Sequence, residues 1–485
     1  MNYEYDLEKV GRSIFPYYLT ILFIAPIPFG ANRPWAWAIL AIFAFLLLFI
    51  YLWNYARQNL RPPEISKDIK LILFLLVAWL GYQLFQLIPL PAGLVGLISP
   101  KTLALKQIAY GSTDITFLTL SFDVSAGIRA VYKTTLYVSL FVLTICLVQS
   151  RDRLRLLILT IVAIGVIQSV WGMGLVFMED QLILAGAGQH NFSNVVKGTF
   201  TNRNHFGGFI NLSIAAVIAL LLSSGIKEKR RIHREKLSHH WQSRALDWRI
   251  YLIPYLGLML LALVFSESRG AIFSSVFMML VMVACLLYMK VGFLEIYKKF
   301  QLVIWLIIFV TIFSGADMLS SRFSMLDEDM ALRMSHWQNS LMIFTDFKIF
   351  GIGAGTFQYV YPLYDDGFDK YRLLHAHNDY IELLAEQGVI GFCLIGAVII
   401  LCLKNAIQAI RHFTHLHQAA FAVGSLLAIS AFLIHSLVDF NFQIPSNAIY
   451  FFVFLAIALL QSMESVHVEK RETVWDEDAF LSENS

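Results

Sequence analysis

Residues 35–53 read WAWAILAIFAFLLLFIYLW and contain no charged side chain. A helix needs about 20 mainly apolar residues to cross a bilayer, so this stretch predicts a membrane-spanning helix. The whole chain of 485 residues has the same character, because 58% of its residues are hydrophobic and only 15% are charged. Soluble domains carry roughly 45–50% apolar and about 25% charged residues. The composition therefore excludes a water-soluble enzyme and a disordered chain, and it favours an all-α integral membrane protein.

Eleven further apolar stretches give a total of about twelve predicted transmembrane helices. The predicted spans are 15–30, 35–53, 70–88, 128–148, 155–177, 205–224, 250–265, 271–289, 301–317, 386–403, 419–438 and 446–462. They form a polytopic membrane domain over residues 1–463, and an acidic tail follows over 464–485. The polar start of the chain lacks the layout of a cleaved signal peptide, so we expect the spans to direct targeting. The four cysteines lie in apolar stretches without a CxxC pair and predict buried thiols.

The positions of lysine and arginine predict the orientation. Segment 227–249, KEKRRIHREKLSHHWQSRALDWR, is the most basic part of the chain. Cytoplasmic loops carry an excess of Lys and Arg, so we expect this segment and both termini in the cytoplasm. Only one segment on the outer side is then predicted to be long, residues 318–385, and such loops are usually functional or folded. Within it, ALRMSHWQNSLMIF (331–344) predicts a helix at the membrane surface, and GIGAG (351–355) predicts a turn.

Two arginines lie beside predicted helix ends on the outer side of the membrane. Arg203 lies in KGTFTNRNHFGGFI (197–210), and Arg269 lies in FSESRGAIFS (265–274). A charge near hydrocarbon is costly and marks a site, unless the side chain snorkels to the headgroups. Each arginine adjoins a predicted helix start with candidate capping residues, namely Thr201, Asn202, Ser266 and Ser268. Helix N-termini and guanidinium groups both bind phosphate, so the pair predicts a diphosphate site at headgroup level.

A second group of polar residues lies in LLHAHNDYIELLAEQGVIGF (373–392). Asp379 and Glu382, three residues apart before an apolar run, predict the N-terminal cap of a helix. His377 would precede that N-terminus, whose positive dipole end keeps the imidazole neutral and suited to act as a general base. A loop histidine that only hydrogen-bonds the backbone is the simpler alternative. His375 could be a metal partner, but H-x-H without a third ligand is a weak metal signal, so we predict no metal.

Three further residues have weaker signals. Arg333 is either a third phosphate contact or part of a surface ion pair with Asp327 or Asp329. His435 and Asp439 lie four residues apart near the predicted outer end of a helix, which would place them on one face. There the two side chains either line the site or form a hydrogen bond with each other.

Together these motifs resemble the O-antigen ligase/polymerase family of bacterial inner-membrane glycosyltransferases. The resemblance covers about residues 195–445 and rests on motifs that stand in family order. These are TNRNHFGG, the SRG turn, R-x-x-x-W, G-x-G-x-G, HxHNDYIELLAEQGVIG and H-S-x-x-D-F.

The resemblance implies a C-type glycosyltransferase fold with a helical periplasmic cap over 318–385. Such an enzyme moves a glycan from undecaprenyl diphosphate to an acceptor hydroxyl, on a glycan or on lipid A-core, at the periplasmic face. It implies no nucleotide sugar, no cofactor, no required metal and no nucleic acid; membrane lipids surround the chain. Arg203, Arg269 and Arg333 would contact the donor diphosphate, and His377 would be the base. The supporting residues would be His375, Asn378, Glu382, His435 and Asp439. Either histidine of HxH fits the role of base, and His377 is preferred because it directly precedes Asn378.

Two alternatives stay open. A polymerase would add the glycan to another lipid-linked repeat unit and would need the same anchors and base. A twelve-helix transporter or flippase would share the cytoplasmic termini and the basic central loop. Against the transporter stand the lack of a detectable half repeat and the long outer loop.

Overall fold

The computed structural model describes residues 2–57, 66–177, 195–223, 252–290, 331–365, 373–413 and 416–460. The predicted span 301–317, the basic segment 227–249 and the tail 464–485 lie outside these ranges. The helices in chain order are α1 (Asn2–Ile24), α2 (Pro34–Arg57), α3 (Lys67–Leu87), α4 (Ala92–Ile98), α5 (Pro100–Tyr110), α6 (Val124–Leu147), α7 (Arg151–Phe177), α8 (Arg203–Ser223), α9 (Leu252–Phe265), α10 (Arg269–Tyr288), α11 (331–346), α12 (Phe357–Val360), α13 (Asp379–Arg411), α14 (Leu416–His435) and α15 (Pro445–Leu460). Two short antiparallel strands, β1 (Leu90–Pro91) and β2 (Phe117–Leu118), pair with each other.

The prediction of an all-α integral membrane protein is confirmed. Among the described residues, seven helices are long and apolar enough to cross a membrane, namely α2, α3, α6, α7, α8, α10 and α13. Three shorter apolar helices, α9, α14 and α15, coincide with further predicted spans. The total of twelve spans stays a prediction.

Two predicted spans have different bounds in the structure. The first was placed at 15–30, but α1 ends at Ile24, because Pro26 and Pro28 cannot continue the hydrogen-bond ladder. The span placed at 386–403 is part of the much longer α13, which begins at Asp379. At Gly388 the backbone leaves helical geometry, with φ of 60° and ψ of −168°. The first turns of α13 therefore form a separate segment, whose carboxylates face the site described below.

Helix α8 lies in the interior of the bundle. Its spanning window is 89% buried, and it packs against α7, α9, α10 and α14. Close approach depends on small residues, because a Cβ at Gly207 would meet Ala271 and one at Gly424 would meet Ala219. The buried Asn211 donates from Nδ2 to the carbonyl oxygen of Ala271 at 2.8 Å and so joins α8 to α10. This packing fixes the positions of the helix ends that carry Arg203 and Arg269.

A folded segment over 88–123 was missed by the sequence analysis, which expected only one long outer segment. It contains β1, α4, α5 and β2. The segment packs on the predicted cap: Phe122 N donates to Ile352 O at 3.0 Å, and Leu105 and Phe122 lie against the cap core. Because α5 carries charged and polar residues, the segment has no long apolar run, and the sequence does not predict this packing.

The two elements predicted within the cap are present. Helix α11 covers 331–346, and its buried residues, among them Ile343, pack with Phe357 and Tyr361 in one small core. The GIGAG segment is a turn in which Gly351, Gly353 and Gly355 all have positive φ. It lies against the first turns of α13, where Gly353 N donates to Glu386 O at 2.8 Å.

Candidate functional site

Among the helices that begin at one end of the bundle, which we call the site end, three have predicted site residues at or beside their first turns. They are α8, α10 and α13, with N-termini at Arg203, Arg269 and Asp379. Ser268 caps α10, and its Oγ also donates to Asn204 Oδ1 at 2.8 Å, which ties the starts of α8 and α10 together. Asn202 accepts from Asn204 N at 2.8 Å. Unpaired N–H groups and the positive dipole ends of several helices are thus gathered in one place.

The cap of α13 differs from the prediction. Asn378, and not Asp379, is the capping residue, and its side chain accepts from Tyr380 N and Ile381 N. The reason is that Asn378 has the extended backbone of a cap, whereas Asp379 is already helical. His377 lies directly before the cap, as predicted, with a positive φ of 52°. Few residues other than glycine adopt this conformation, and it often marks a functional position.

The three arginines of the prediction lie at the site end. Arg203 forms an ion pair with Glu267, with Nη1 and Oε2 3.3 Å apart. Arg269 is exposed at the start of α10. Arg333 reaches from α11 and donates from Nη1 to Val438 O at 2.7 Å. A Cβ on Gly270 would lie against Val438, so the positions of Arg269 and Arg333 are linked through this one residue.

Three histidines surround the ring of Phe440. His205 and His377 meet it edge-on, with ring centroids 4.5 and 4.8 Å away, and His375 stacks on it at 4.5 Å. His205 was not among the predicted site residues, although it stands in the TNRNHFGG segment. Its spacing two residues after Arg203 was the available signal, but only the tertiary structure brings it to Phe440.

Asp439 is the carboxylate of this cluster. It is 1% exposed, and its Oδ1 lies 3.6 Å from His377 Nδ1 and 3.7 Å from His205 Nε2. Burial alone would raise the pKa of Asp439, but the two histidine rings beside its oxygens outweigh burial and hold the pKa well below its usual value. Asp439 is therefore a buried anion that can orient a neighbouring imidazole.

His435 and Asp439 are not on one helical face as predicted. Helix α14 ends at His435, and the chain turns, with Val438 N donating to His435 O at 3.1 Å. Neither ring nitrogen of the buried His435 has a hydrogen-bond partner among the described residues. The ring lies where a Cβ on Gly208 or Gly270 would be, so it fills the space between α8 and α10.

Three buried carboxylates on the first turns of α13 hold the loops around the site. Asp379 Oδ2 accepts from Phe442 N at 3.0 Å. Glu382 accepts from His375 Nδ1 and from Ala376 N, both at 2.8 Å. Glu386 accepts from Gly355 N at 2.9 Å and Phe357 N at 3.0 Å. The spacing of three and four residues places all three acids on one helix face.

A cavity of about 290 Å³ adjoins this cluster. Its lining includes His375, Asp379 and Glu382 and continues between α2, α3, α6 and α13. His377 and the three predicted arginines are not part of the lining. The site end therefore has two neighbouring compartments, with His375 and Phe440 between them.

Part of the sequence is similar to a known protein family. Residues 254–396 match the family model described as O-antigen ligase. This match supports an assignment to the O-antigen ligase family. The matched range includes Arg269, Arg333, His375 and His377, whereas Arg203, His435 and Asp439 lie outside it. It is narrower than the predicted core of 195–445, and in the structure its helices pack against α8 and α14. No curated protein matches the sequence.

Proposed function

We propose that this protein is a glycosyltransferase of the inner membrane that moves a glycan from undecaprenyl diphosphate to an acceptor hydroxyl at the periplasmic face. The observation that carries the proposal is the gathering, at one end of the bundle, of two helix N-termini with arginines and a histidine paired with a buried aspartate. The match of residues 254–396 to the O-antigen ligase family model supports a reaction of this class.

The donor diphosphate is assigned to the ends of α8 and α10. Both helix starts direct unpaired N–H groups and a partial positive charge toward the site end. Arg203 and Arg269 add two guanidinium groups, and Arg333 adds a third near Val438. Guanidinium groups bind phosphate oxygens in a two-point manner and stabilise the negative charge on a departing diphosphate. These groups need no metal ion to do so.

His377 is assigned as the general base. Asp439 faces its Nδ1, so a proton on Nδ1 leaves Nε2 with a free lone pair. The ring is 29% exposed and thus within reach of an acceptor hydroxyl. Asp439 Oδ1 also lies 3.7 Å from His205 Nε2 on α8, two residues after Arg203, so His377 shares this carboxylate with the helix that begins at Arg203. In one displacement, Nε2 takes the hydroxyl proton, the oxygen bonds to the anomeric carbon, and the bond to the diphosphate breaks.

His375 is the second candidate for the base. It pairs with Glu382 at 2.8 Å and is similarly accessible. However, its ring stacks flat on Phe440 and borders the cavity rather than the arginines. We therefore assign His375 to acceptor positioning.

The acceptor decides between ligase and polymerase. The proposed test is transfer from a purified lipid-linked glycan by the detergent-solubilised protein, with EDTA present and with lipid A-core and a second lipid-linked unit offered separately. Transfer to lipid A-core identifies a ligase, and chain growth on the lipid-linked unit identifies a polymerase. Absence of transfer to either acceptor by the folded protein would contradict the proposal and favour the transporter.

A further inference from the structure

Two cations, Arg129 and Lys133, line the cavity beside the histidine cluster. Lys133 is half-buried on α6 and lines the cavity, and its Nζ lies 5.9 Å from the centre of the Trp37 ring. Among the described residues it has no ion-pair or hydrogen-bond partner. A lysine on a membrane helix is costly unless it meets an anion or water, so its position indicates a binding role.

The nearby acids attract Lys133 but form no close ion pair with it. Glu382 and Glu386 also line the cavity, but their oxygens are taken by His375, Ala376, Gly355 and Phe357. Neither carboxylate lies within 4 Å of Lys133. The three N–H donors of the Lys133 ammonium group therefore remain available to a ligand.

Two more polar groups in the cavity are buried and unpartnered. Gln83 is 1% exposed, and neither its Oε1 nor its Nε2 has a hydrogen-bond partner among the described residues. The hydroxyl of the buried Tyr137 also has none. Lys133 and Tyr137 are one turn apart on α6, and Gln83 faces them from α3. Buried polar atoms are nearly always paired, so three in one cavity indicate a polar ligand.

The walls are aromatic. Trp37, Trp79 and Phe452 line the cavity, and Trp79 stacks on Phe452 with 6.3 Å between ring centroids. Apolar walls with a few precisely placed polar groups are typical of small-molecule sites, which occupy about 300–1,000 Å³. A cavity of about 290 Å³ is at the lower end of that range and suits a single ring rather than a lipid with its chains.

We propose that this cavity is a subsite for one sugar residue that carries an acidic group, on the acceptor side of the reaction. Lys133 pairs with the carboxylate or phosphate of the sugar, Gln83 and Tyr137 hydrogen-bond its hydroxyl groups, and the tryptophan faces pack on the ring. The assignment to the acceptor side rests on the proposed function, because His375 lines the cavity and the arginines assigned to the donor do not.

The test is a binding titration of the full-length protein in a non-ionic detergent, read by tryptophan fluorescence. The probes are glucuronate, glucose and a phosphatidylglycerol micelle. We expect glucuronate to bind more tightly than glucose. In Lys133→Gln, we expect the ratio of the two affinities to fall by at least about ten-fold. The matched control is Lys348→Gln, which makes the same change at an exposed position and should behave as wild type. Tyr137→Phe, which keeps the shape of the side chain, should weaken both sugars.

Two results would overturn the subsite. One is an unchanged preference for glucuronate in a folded Lys133→Gln variant. The other is Lys133-dependent binding of phosphatidylglycerol that glucuronate does not displace, which would make the cavity a lipid site. Binding needs no donor, so failure of the proposed transfer reaction would leave this result intact, and the two proposals can fail separately.

Discussion

The Nδ1 atom of His377 lies 3.6 Å from Oδ1 of the buried Asp439. His377 directly precedes the cap of α13, while Asp439 follows the end of α14, so the pair joins two helices at the site end. The backbone carbonyl of Asp439 also takes part in this junction, since it accepts from Asp379 N at 3.2 Å. The pair is thus both a link in the fold and the proposed source of the base.

Replacement of Asp439 by Asn should reduce transfer by at least about 100-fold, because the imidazole of His377 loses the anion that orients its free nitrogen. The pKa of Asp439 lies well below its usual value, so its carboxylate is charged at neutral pH, and its contribution to stability is lost only as the pH falls through that lowered pKa. The deficit of the variant should therefore be present at neutral pH. Asp114→Asn, at an exposed position, is the control. Near-normal transfer by Asp439→Asn would remove the aspartate from the mechanism.

Replacement of Arg269 by Lys should lower transfer by about ten-fold or more, although the charge is kept. A lysine is a point charge and cannot reproduce a two-point contact with phosphate. Initial rates at saturating acceptor, measured over a range of donor concentrations, would show the effect. Arg151→Lys, at the start of α7, serves as the matched control. A variant with wild-type rates would count against the diphosphate site.

The GIGAG turn should tolerate no side chain at Gly353. Its φ is 107°, and a Cβ there would run into the backbone and side chain of Ser121. We expect Gly353→Ala to destabilise the fold by about 2 kcal/mol or more. Gly81→Ala in α3 is the matched control, because nothing lies within 4 Å of that position. Thermal unfolding in detergent would compare them, and equal midpoints would contradict the packing of the cap on segment 88–123.

Lys106 should make stability depend on alkaline pH. Its Nζ donates to Thr119 O at 2.6 Å and Ser121 O at 2.7 Å, and burial lowers its pKa from 10.5 to about 8. Between these two pKa values the unfolded chain binds more protons than the folded chain, so stability rises with pH. The gain should be about 1–3 kcal/mol.

The measurement is the difference in unfolding midpoint between wild type and Lys106→Met at pH 7 and pH 10. Lys348→Met corrects for the general effect of alkaline pH. A difference that is the same at both pH values would show that Lys106 is not buried as the structure has it.

The sequence predicted those parts of the molecule that depend on local patterns. Apolar length located the helices, and capping residues beside Arg203 and Arg269 located two helix starts, because both signals lie within a few residues of the feature. The residues of LLHAHNDYIELL were likewise recognisable as a helix start preceded by a histidine.

Contacts between distant segments could not be predicted in this way. Phe440 is surrounded by histidines from two separate regions of the chain, and no local sequence pattern predicts that arrangement. Lys133 is not among the predicted site residues, since its importance arises from the cavity that other helices form around it. The folded segment 88–123 was missed because its helices are short and carry polar residues.

The central claim is that His377, and not His375, removes the proton of the acceptor hydroxyl. The most direct measurement is chemical rescue: transfer by His377→Gly and by His375→Gly, each with and without added imidazole. We expect His377→Gly to lose at least about 100-fold in rate and to recover part of it with imidazole, while His375→Gly shows a smaller loss and no rescue. Full activity of His377→Gly, or rescue confined to His375→Gly, would contradict the account.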